Sequence, residues 1–148
     1  MLADDTINTL LEEMADYLIY TTLYFQGEPY LNLDFLHFVR AFHRHHIYTS
    51  TSTNGHYLTS AVAEETVDAG LDRIIISVDG TDQETYVRYR IGGKLDKVWE
   101  GINNLVEVKK RLHSKAPFIV LQFLVLDHNL HQMDEVRVLA KKAGVDKL

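Results

Sequence analysis

The sequence predicts an α/β fold in which parallel strands alternate with helices as an arc of a TIM-like (βα) barrel. Three observations carry this reading. Segments with apolar residues at helical spacing alternate with short β-branched or aromatic runs along the whole chain. The later runs are apolar along their length, as strands covered on both faces are. A complete eight-unit barrel takes about 250 residues, or about 31 per unit, so a chain of 148 residues holds between four and five units.

The elements follow in order. Asp4 to Ala15 places Ile7, Leu10, Leu11 and Met14 on one helical face, with Asp4 or Asp5 as the N-cap. Tyr17 to Phe25 (YLIYTTLYF) reads as the first strand and stops at Gln26-Gly27-Glu28-Pro29. Leu33 to His45 returns to helical spacing through Leu36, Val39, Ala41 and Phe42. Ile47 to Thr53 is a second strand, ended by the turn pair Asn54-Gly55. Thr59 to Ala69 is a helix with Gly70 as its C′ residue. Leu71 to Val78 is a third strand, ended by Asp79-Gly80.

The rhythm continues with a short helix from Asp82 to Tyr89 and a Gly92-Gly93 break. Leu95 to Leu112 is the longest helix, with Val98, Ile102, Leu105, Val106 and Val108 as its apolar stripe. Phe118 to Leu126 (FIVLQFLVL) is the fourth strand and Gln132 to Ala143 the last helix. Gly144 to Leu148 is an incipient fifth strand. An open doubly wound sheet is the alternative architecture, but it usually carries a glycine-rich first turn, and no GxGxxG is present.

Composition narrows the function classes. With 15 Lys+Arg against 21 Asp+Glu the net charge is −6, opposite to the basic stripe of a nucleic-acid binder. No apolar run reaches the roughly 20 residues of a membrane span, and the acidic start MLADDTINTL lacks the basic region of an export signal. The expectation is one cytoplasmic domain with neither a nucleic-acid nor a membrane partner. There is no cysteine, so the chain itself offers no disulfide, no thiolate nucleophile and no thiolate ligand for zinc or an iron–sulfur cluster.

In either architecture ligands bind at the C-terminal ends of the strands. Those ends carry Gln26-Gly27-Glu28-Pro29, Ser52-Thr53-Asn54-Gly55-His56, Ser77 with Asp79 and Gly80, and Gln122 followed by Asp127-His128-Asn129. Each has a plain structural reading: simple turns, Asp79 capping the helix that follows, Gln122 as a core amide. Their coincidence on one rim is what points to a site.

As an ordered set, FQGEP, STNG, ISVDG and YRIGG resemble the radical S-adenosylmethionine (radical SAM) enzymes, over about residues 18–148. The set is most similar to the branch whose members often carry an additional C-terminal cluster-binding domain. The resemblance implies a partial barrel in which a CxxxCxxC loop holds a 4Fe–4S cluster. In such enzymes the cluster reductively cleaves S-adenosylmethionine, and the resulting 5′-deoxyadenosyl radical removes a substrate hydrogen atom.

Carried over by position, Gly27, Glu28 and Pro29 look like the segment that meets the methionine amino group. Gln26 stands where the family has the first glycine. Thr53 and Asn54 lie where the family lines its active site. Ser77 and Asp79 resemble the residues near the ribose and methionine, Arg90 the basic residue that can meet the methionine carboxylate, and Gln122 a residue facing the adenosyl group. These side chains suit those partners: carboxylates accept from ammonium groups, Arg presents a planar fork to a carboxylate, and short polar side chains meet ribose hydroxyls. A plain alternative for Arg90 is a surface pair with Glu84.

The cysteine triad is the departure. The resemblance places it before the first residue of this chain, together with the first barrel strand, and places further strands after Val145. The expectation is therefore a central segment of a radical SAM enzyme, inactive alone, with open apolar strand edges that favour a homo-oligomer. The substrate is not legible.

Eight histidines raise a metal reading. His43 and His46 share a helix face, near His37 and His45, but lack the HExxH arrangement and suit a solvated helix C-terminus. His56 on the rim is the better candidate, with His128 and His131 a weaker pair. A divalent-metal hydrolase or isomerase using Glu28, Asp79, His56 and His128 is one rival, and a non-catalytic scaffold another. Tyr17, Tyr20, Tyr24 and Phe25 read as strand core, and Trp99 as a packing residue.

Overall fold

The computed structural model describes residues 4–148, with side chains from Thr6 onward, so the N-cap expected at Asp4 or Asp5 lies outside the described side chains. Four parallel strands, β1 (Tyr20–Thr22), β2 (Tyr48–Thr53), β3 (Arg73–Ser77) and β4 (Phe118–Gln122), form one sheet in the order β1-β2-β3-β4. The helices are α1 (Asp4–Met14), α2 (Phe35–Arg44), α3 (Ser60–Asp68), α4 (Gln83–Tyr89), α5 (Leu95–Arg111) and α6 (Met133–Ala143). Short 3-10 turns at Pro29–Leu31 and Leu130–Gln132 precede α2 and α6.

Strand order decides between the two architectures. Each strand pairs with its sequence neighbour and the order never reverses, so the winding is that of a barrel arc and not of a doubly wound sheet, which needs a switch point. The fifth strand begins as expected: Val120 bridges Lys147 in parallel, and the Leu121 amide donates to the Lys147 carbonyl at 2.8 Å.

Alternation assigns the faces. Ile74, Ile76, Val78, Ile119 and Leu121 are shut from solvent and pack with Val39, Leu58, Leu71, Val98, Ile102, Leu105 and Val136 in the core beneath the helices. Trp99 packs against this core, partly buried. A second cluster joins Ile7 and Leu11 of α1 to Phe38 and Phe42 of α2 and to Ile47. The other face, with Tyr20, Thr22, Tyr48, Ser50, Ser52, Arg73, Ile75, Ser77, Val120 and Gln122, lies on the concave side of the arc.

Helix boundaries follow local chemistry. The Thr59 hydroxyl accepts from the Val62 amide at 3.3 Å, and Gly70 follows α3 at φ +80° as the C′ glycine. Asp82, not Asp79, caps α4, accepting from the Thr85 amide at 2.9 Å.

Every strand is shorter than its sequence run suggests, β1 and β4 most of all. The run Tyr17–Phe25 contributes only three ladder residues, and Tyr17, Tyr20, Tyr24 and Phe25 are exposed instead of core, Phe25 by 91%. As the outer strand, β1 has a neighbour on one side only, and Tyr20 is partly covered on the concave face by stacking on Tyr48 at 5.5 Å. Strand β4 ends at Gln122 because side chains take over its backbone donors: the Leu124 amide donates to Asp79 Oδ1 at 2.8 Å and the Leu126 amide to Asn129 Oδ1 at 2.7 Å.

One close approach fixes the longest helix against the rim. A Cβ on Gly101 of α5 would stand 2.5 Å from the Gly55 carbonyl oxygen, and one on Gly55, at φ +80°, 3.0 Å from Val98. Glycine at both positions lets α5 seat directly beneath the loop after β2.

Candidate functional site

The Gly-Glu-Pro loop after β1 is built by its own sequence. Gly27 adopts φ +83°, Pro29 opens the 3-10 turn, and Glu28 caps it by accepting from the Tyr30 amide at 3.3 Å. The Glu28 carboxylate also reaches the next strand end. Its Oε1 accepts from the Thr53 hydroxyl at 2.7 Å and its Oε2 from the Asn54 amide at 2.7 Å. A carboxylate has about four acceptor positions, so three internal donors leave one open. The structure thus brings Gly27, Glu28, Pro29, Thr53 and Asn54 together. Thr53, which is buried, points to the helix side, where its oxygen also accepts from the Gly55 amide at 3.1 Å.

Beneath the loop, the Tyr30 hydroxyl lies 3.0 Å from Thr66 Oγ1. Burial pushes the Tyr30 phenol well above its ordinary range, more strongly than the Thr66 hydrogen bond lowers it, and the Glu28 charge adds to the rise. Tyr30 therefore supports the loop as a neutral group.

His56 ties this side of the rim to the next loop. The Lys94 amide donates to His56 Nε2 at 2.9 Å, which leaves the ring proton on Nδ1, facing the Asn54 carbonyl and Oδ1 at 3.1 and 3.0 Å. Asn54 Oδ1 also accepts from the His56 amide at 2.9 Å. The imidazole holds the Asn54 loop to the start of α5.

A second group forms at the end of β3. Ser77 is buried on the concave face in register with Gln122, which is exposed there. Asp79 is fully buried; its Oδ2 accepts from Arg90 Nε at 2.6 Å and its Oδ1 from the Leu124 amide. Arg90 thus turns to Asp79, while Glu84 pairs with Arg88 at 3.1 Å, one helical turn away. The Tyr86 hydroxyl is buried without a partner, and burial raises its pKa against the lowering effect of Arg90.

Asn129, legible in the sequence only as part of a polar strand end with no assigned role, and Gln132, legible only as the start of the last helix, belong to this group. Asn129, completely buried, donates from Nδ2 to the Asp79 carbonyl at 3.1 Å and to the Leu124 carbonyl at 2.9 Å. Gln132 Oε1 accepts from the Thr81 amide at 2.9 Å, and its Nε2 reaches Asp82 and Thr85. The signal was the polar run Asp127-His128-Asn129 directly after an apolar strand.

The metal reading gains nothing from this arrangement. Among the described residues no three His, Asp or Glu side chains gather as a metal would require. Glu28, Asp79 and His56 are engaged by Thr53 and Asn54, by Arg90 and Leu124, and by Lys94. His128 has its Nε2 buried without a partner. Also among the described residues, no helix is long and apolar enough to cross a membrane.

Comparison with known proteins agrees with the sequence resemblance. A family profile for the Radical SAM superfamily matches residues 2–139. A probable GTP 3′,8-cyclase of Methanococcus maripaludis (strain C5) is 25% identical over 144 residues, covering 97% of this chain and 46% of its own length. The GTP 3′,8-cyclase of Listeria monocytogenes serotype 4b is 34% identical over 110 residues, 73% of this chain and 33% of its own. Among solved structures, TYW1 with a lysine-pyruvate adduct bound superposes with a TM-score of 0.64 at 20% identity, covering 98% of this chain and 52% of that one. An archaeal TYW1 superposes at 0.59 with 25% identity, over 86% and 40%. The chain spans about half the length or less of these relatives. They speak for the superfamily and not for a branch within it.

Proposed function

The chain belongs to the radical SAM superfamily, and from that premise we propose that it forms the central part of an enzyme that reductively cleaves S-adenosylmethionine and abstracts a substrate hydrogen atom. When bound, S-adenosylmethionine would supply the radical-generating chemistry. This chain's residues would hold its methionine end. Glu28, with one acceptor position open, would suit an ammonium group; Ser77 and Gln122, in register on the concave face, and Asn54 in the loop after β2 would offer partners to hydroxyls and an adenine edge. Arg90, already paired with Asp79, would meet a carboxylate only with the outer edge of its guanidinium.

The 4Fe–4S cluster does not fit this chain, because its 148 residues contain no cysteine. Its ligands would come from outside these residues, and the chain by itself would be inactive. The open edge of β1, with Ile19 and Phe25 exposed, would pair with a second copy; a monomer throughout a sedimentation dilution series counts against that.

The observation that carries the reading is the Glu28 carboxylate spanning the loops after β1 and β2. Isothermal titration of S-adenosylmethionine into the purified chain tests it. Binding at about millimolar or tighter, lost in Glu28→Ala and retained in the surface variant Glu107→Gln, supports it. Equal heats in wild type and Glu28→Ala would remove Glu28 from the site.

A further inference from the structure

One chain of polar contacts on the rim is ordered from end to end by its donors. The Lys94 amide can only give a proton, so His56 Nε2, 2.9 Å away, is the bare nitrogen and the ring proton stands on Nδ1. That Nδ1–H, shared with the Asn54 carbonyl at 3.1 Å, faces Asn54 Oδ1 at 3.0 Å. The His56 amide donates to the same Oδ1 at 2.9 Å. Two donors converging on one atom require it to be the carboxamide oxygen, which leaves the Asn54 NH2 on the other side. That nitrogen takes part in no hydrogen bond among the described residues and is not one of their buried unpartnered atoms, so it is open to solvent at the rim. The Asn54 main chain is pinned as well, its amide donating to Glu28 Oε2 at 2.7 Å.

We infer that His56 is a positioning residue that presents the Asn54 side chain to the ligand as a donor only. Asn54 then takes a hydroxyl or carboxylate oxygen, or a ring nitrogen, and turns away an amino group. The two ends of a carboxamide have nearly the same shape, so nothing in Asn54 itself chooses between them; the imidazole tautomer makes the choice, and the Lys94 amide sets the tautomer. The inference rests on the reading of this rim as the S-adenosylmethionine site. Glu28, bonded to the Asn54 amide, has an acceptor position open, so neighbouring groups accept and donate, and a ligand carrying both kinds of partner fits them.

The first measurement is nitrogen-15 NMR of the histidine side chains in the full chain, without ligand and at a pH well above the ordinary imidazole range. His56, assigned by its loss in His56→Gln, is expected in the Nδ1–H form. The Nε2–H form, or the tautomer mixture of a free imidazole, overturns the inference. Titration with S-adenosylmethionine is then followed at the Asn54 NH2 resonances, where a saturable shift is expected; binding that leaves them unmoved overturns the inference. Two variants separate positioning from tethering. His56→Gln puts an amide at the Nε2 position only and should bind about tenfold more weakly, whereas His56→Asn, with a donor near the Nδ1 position, should recover part of that loss. A His56 that merely ties the loop to α5 gives the opposite order, because only the longer side chain reaches the Lys94 amide; that order, or equal affinities, overturns the inference. If S-adenosylmethionine does not bind the wild-type chain, the cofactor reading fails, and the tautomer alone decides whether His56 orients Asn54.

Discussion

Asp79 and Arg90 form a 2.6 Å ion pair whose two members sit in different surroundings: the Asp79 side chain is 1% exposed, that of Arg90 32%. The carboxylate is the committed partner, since it also accepts from the Leu124 amide and so joins the ends of β3 and β4. Removing the cation leaves a buried charge with one neutral donor. Arg90→Leu is expected to cost about 2–3 kcal/mol in urea unfolding. Asp79→Asn in the same background should restore part of that loss, because the amide oxygen still accepts from Leu124. Equal stabilities for Arg90→Leu and wild type would show that the pair contributes nothing to the fold.

Thr53 and Glu28 test whether the rim loops are held by the carboxylate. Thr53→Val keeps the volume and removes both the hydroxyl donor to Glu28 and the acceptor for Gly55. The expected loss is about 1–2 kcal/mol, with amide exchange faster at Tyr30 and Asn54 than elsewhere. Uniform exchange rates across these loops would contradict the assignment.

Gly101 separates helix propensity from packing. On propensity alone Gly101→Ala should stabilise α5 by about 1 kcal/mol. The new Cβ would lie 2.5 Å from the Gly55 carbonyl oxygen, so a net destabilisation of about 1–3 kcal/mol is expected, read as a lowered Tm. Gly92→Ala is the counterpart: nothing lies within 4 Å of its Cβ, and only the φ of +75° resists, at about 1 kcal/mol.

The pH profile of stability should bend at both ends. Asp82 is held below the usual carboxylate range chiefly by the Thr85 amide hydrogen bond, with the Thr85 hydroxyl and Gln132 adding to it. A depressed folded pKa means that its contribution is present at neutral pH and lost as pH falls below about 4. Asp82→Asn, which keeps the cap without the charge, should flatten that acid limb in a series of urea midpoints.

Tyr30 acts at the other end. Its phenol is raised by burial, so its contribution is complete below the ordinary phenol range and is lost as pH rises past about 10, where the unfolded chain ionises first. Tyr30→Phe should unfold at higher pH than wild type. Its cost at neutral pH should stay within about 1 kcal/mol, because the Thr66 hydroxyl still donates to the Val62 carbonyl. An unchanged alkaline midpoint would mean that Tyr30 is not shielded from solvent.

Periodicity made the helices and the central strands legible, because each of those segments buries the face its own pattern defines: Val98, Ile102 and Leu105 read as a stripe and are one. The first strand was overread for a physical reason. Nothing in YLIYTTLYF says that only Tyr20–Thr22 will enter the ladder, and Tyr17 and Phe25, outside it, stand in solvent. The end of β4 was equally hidden, since it is set by Asp79 and Asn129, far apart in the chain. At the rim, the candidate positions were visible as a set of polar strand ends. Their pairing was not: that Glu28 would bind Thr53 and Asn54, that His56 would accept from Lys94, and that Arg90 would prefer Asp79 to Glu84 depend on tertiary placement.

The unbroken strand order also has a kinetic meaning. Every ladder contact joins strands adjacent in the chain, so the sheet can assemble by closing one crossover after another without threading any segment between two already paired. Those crossovers are unequal. The β1–β2 and β2–β3 connections each contain one α-helix, whereas the β3–β4 connection must gather both α4 and α5 before Ile75 and Val120 can meet. Loop-closure entropy is greatest there, and refolding should be most sensitive to substitutions that weaken the seat of α5 on Gly55 and Leu58.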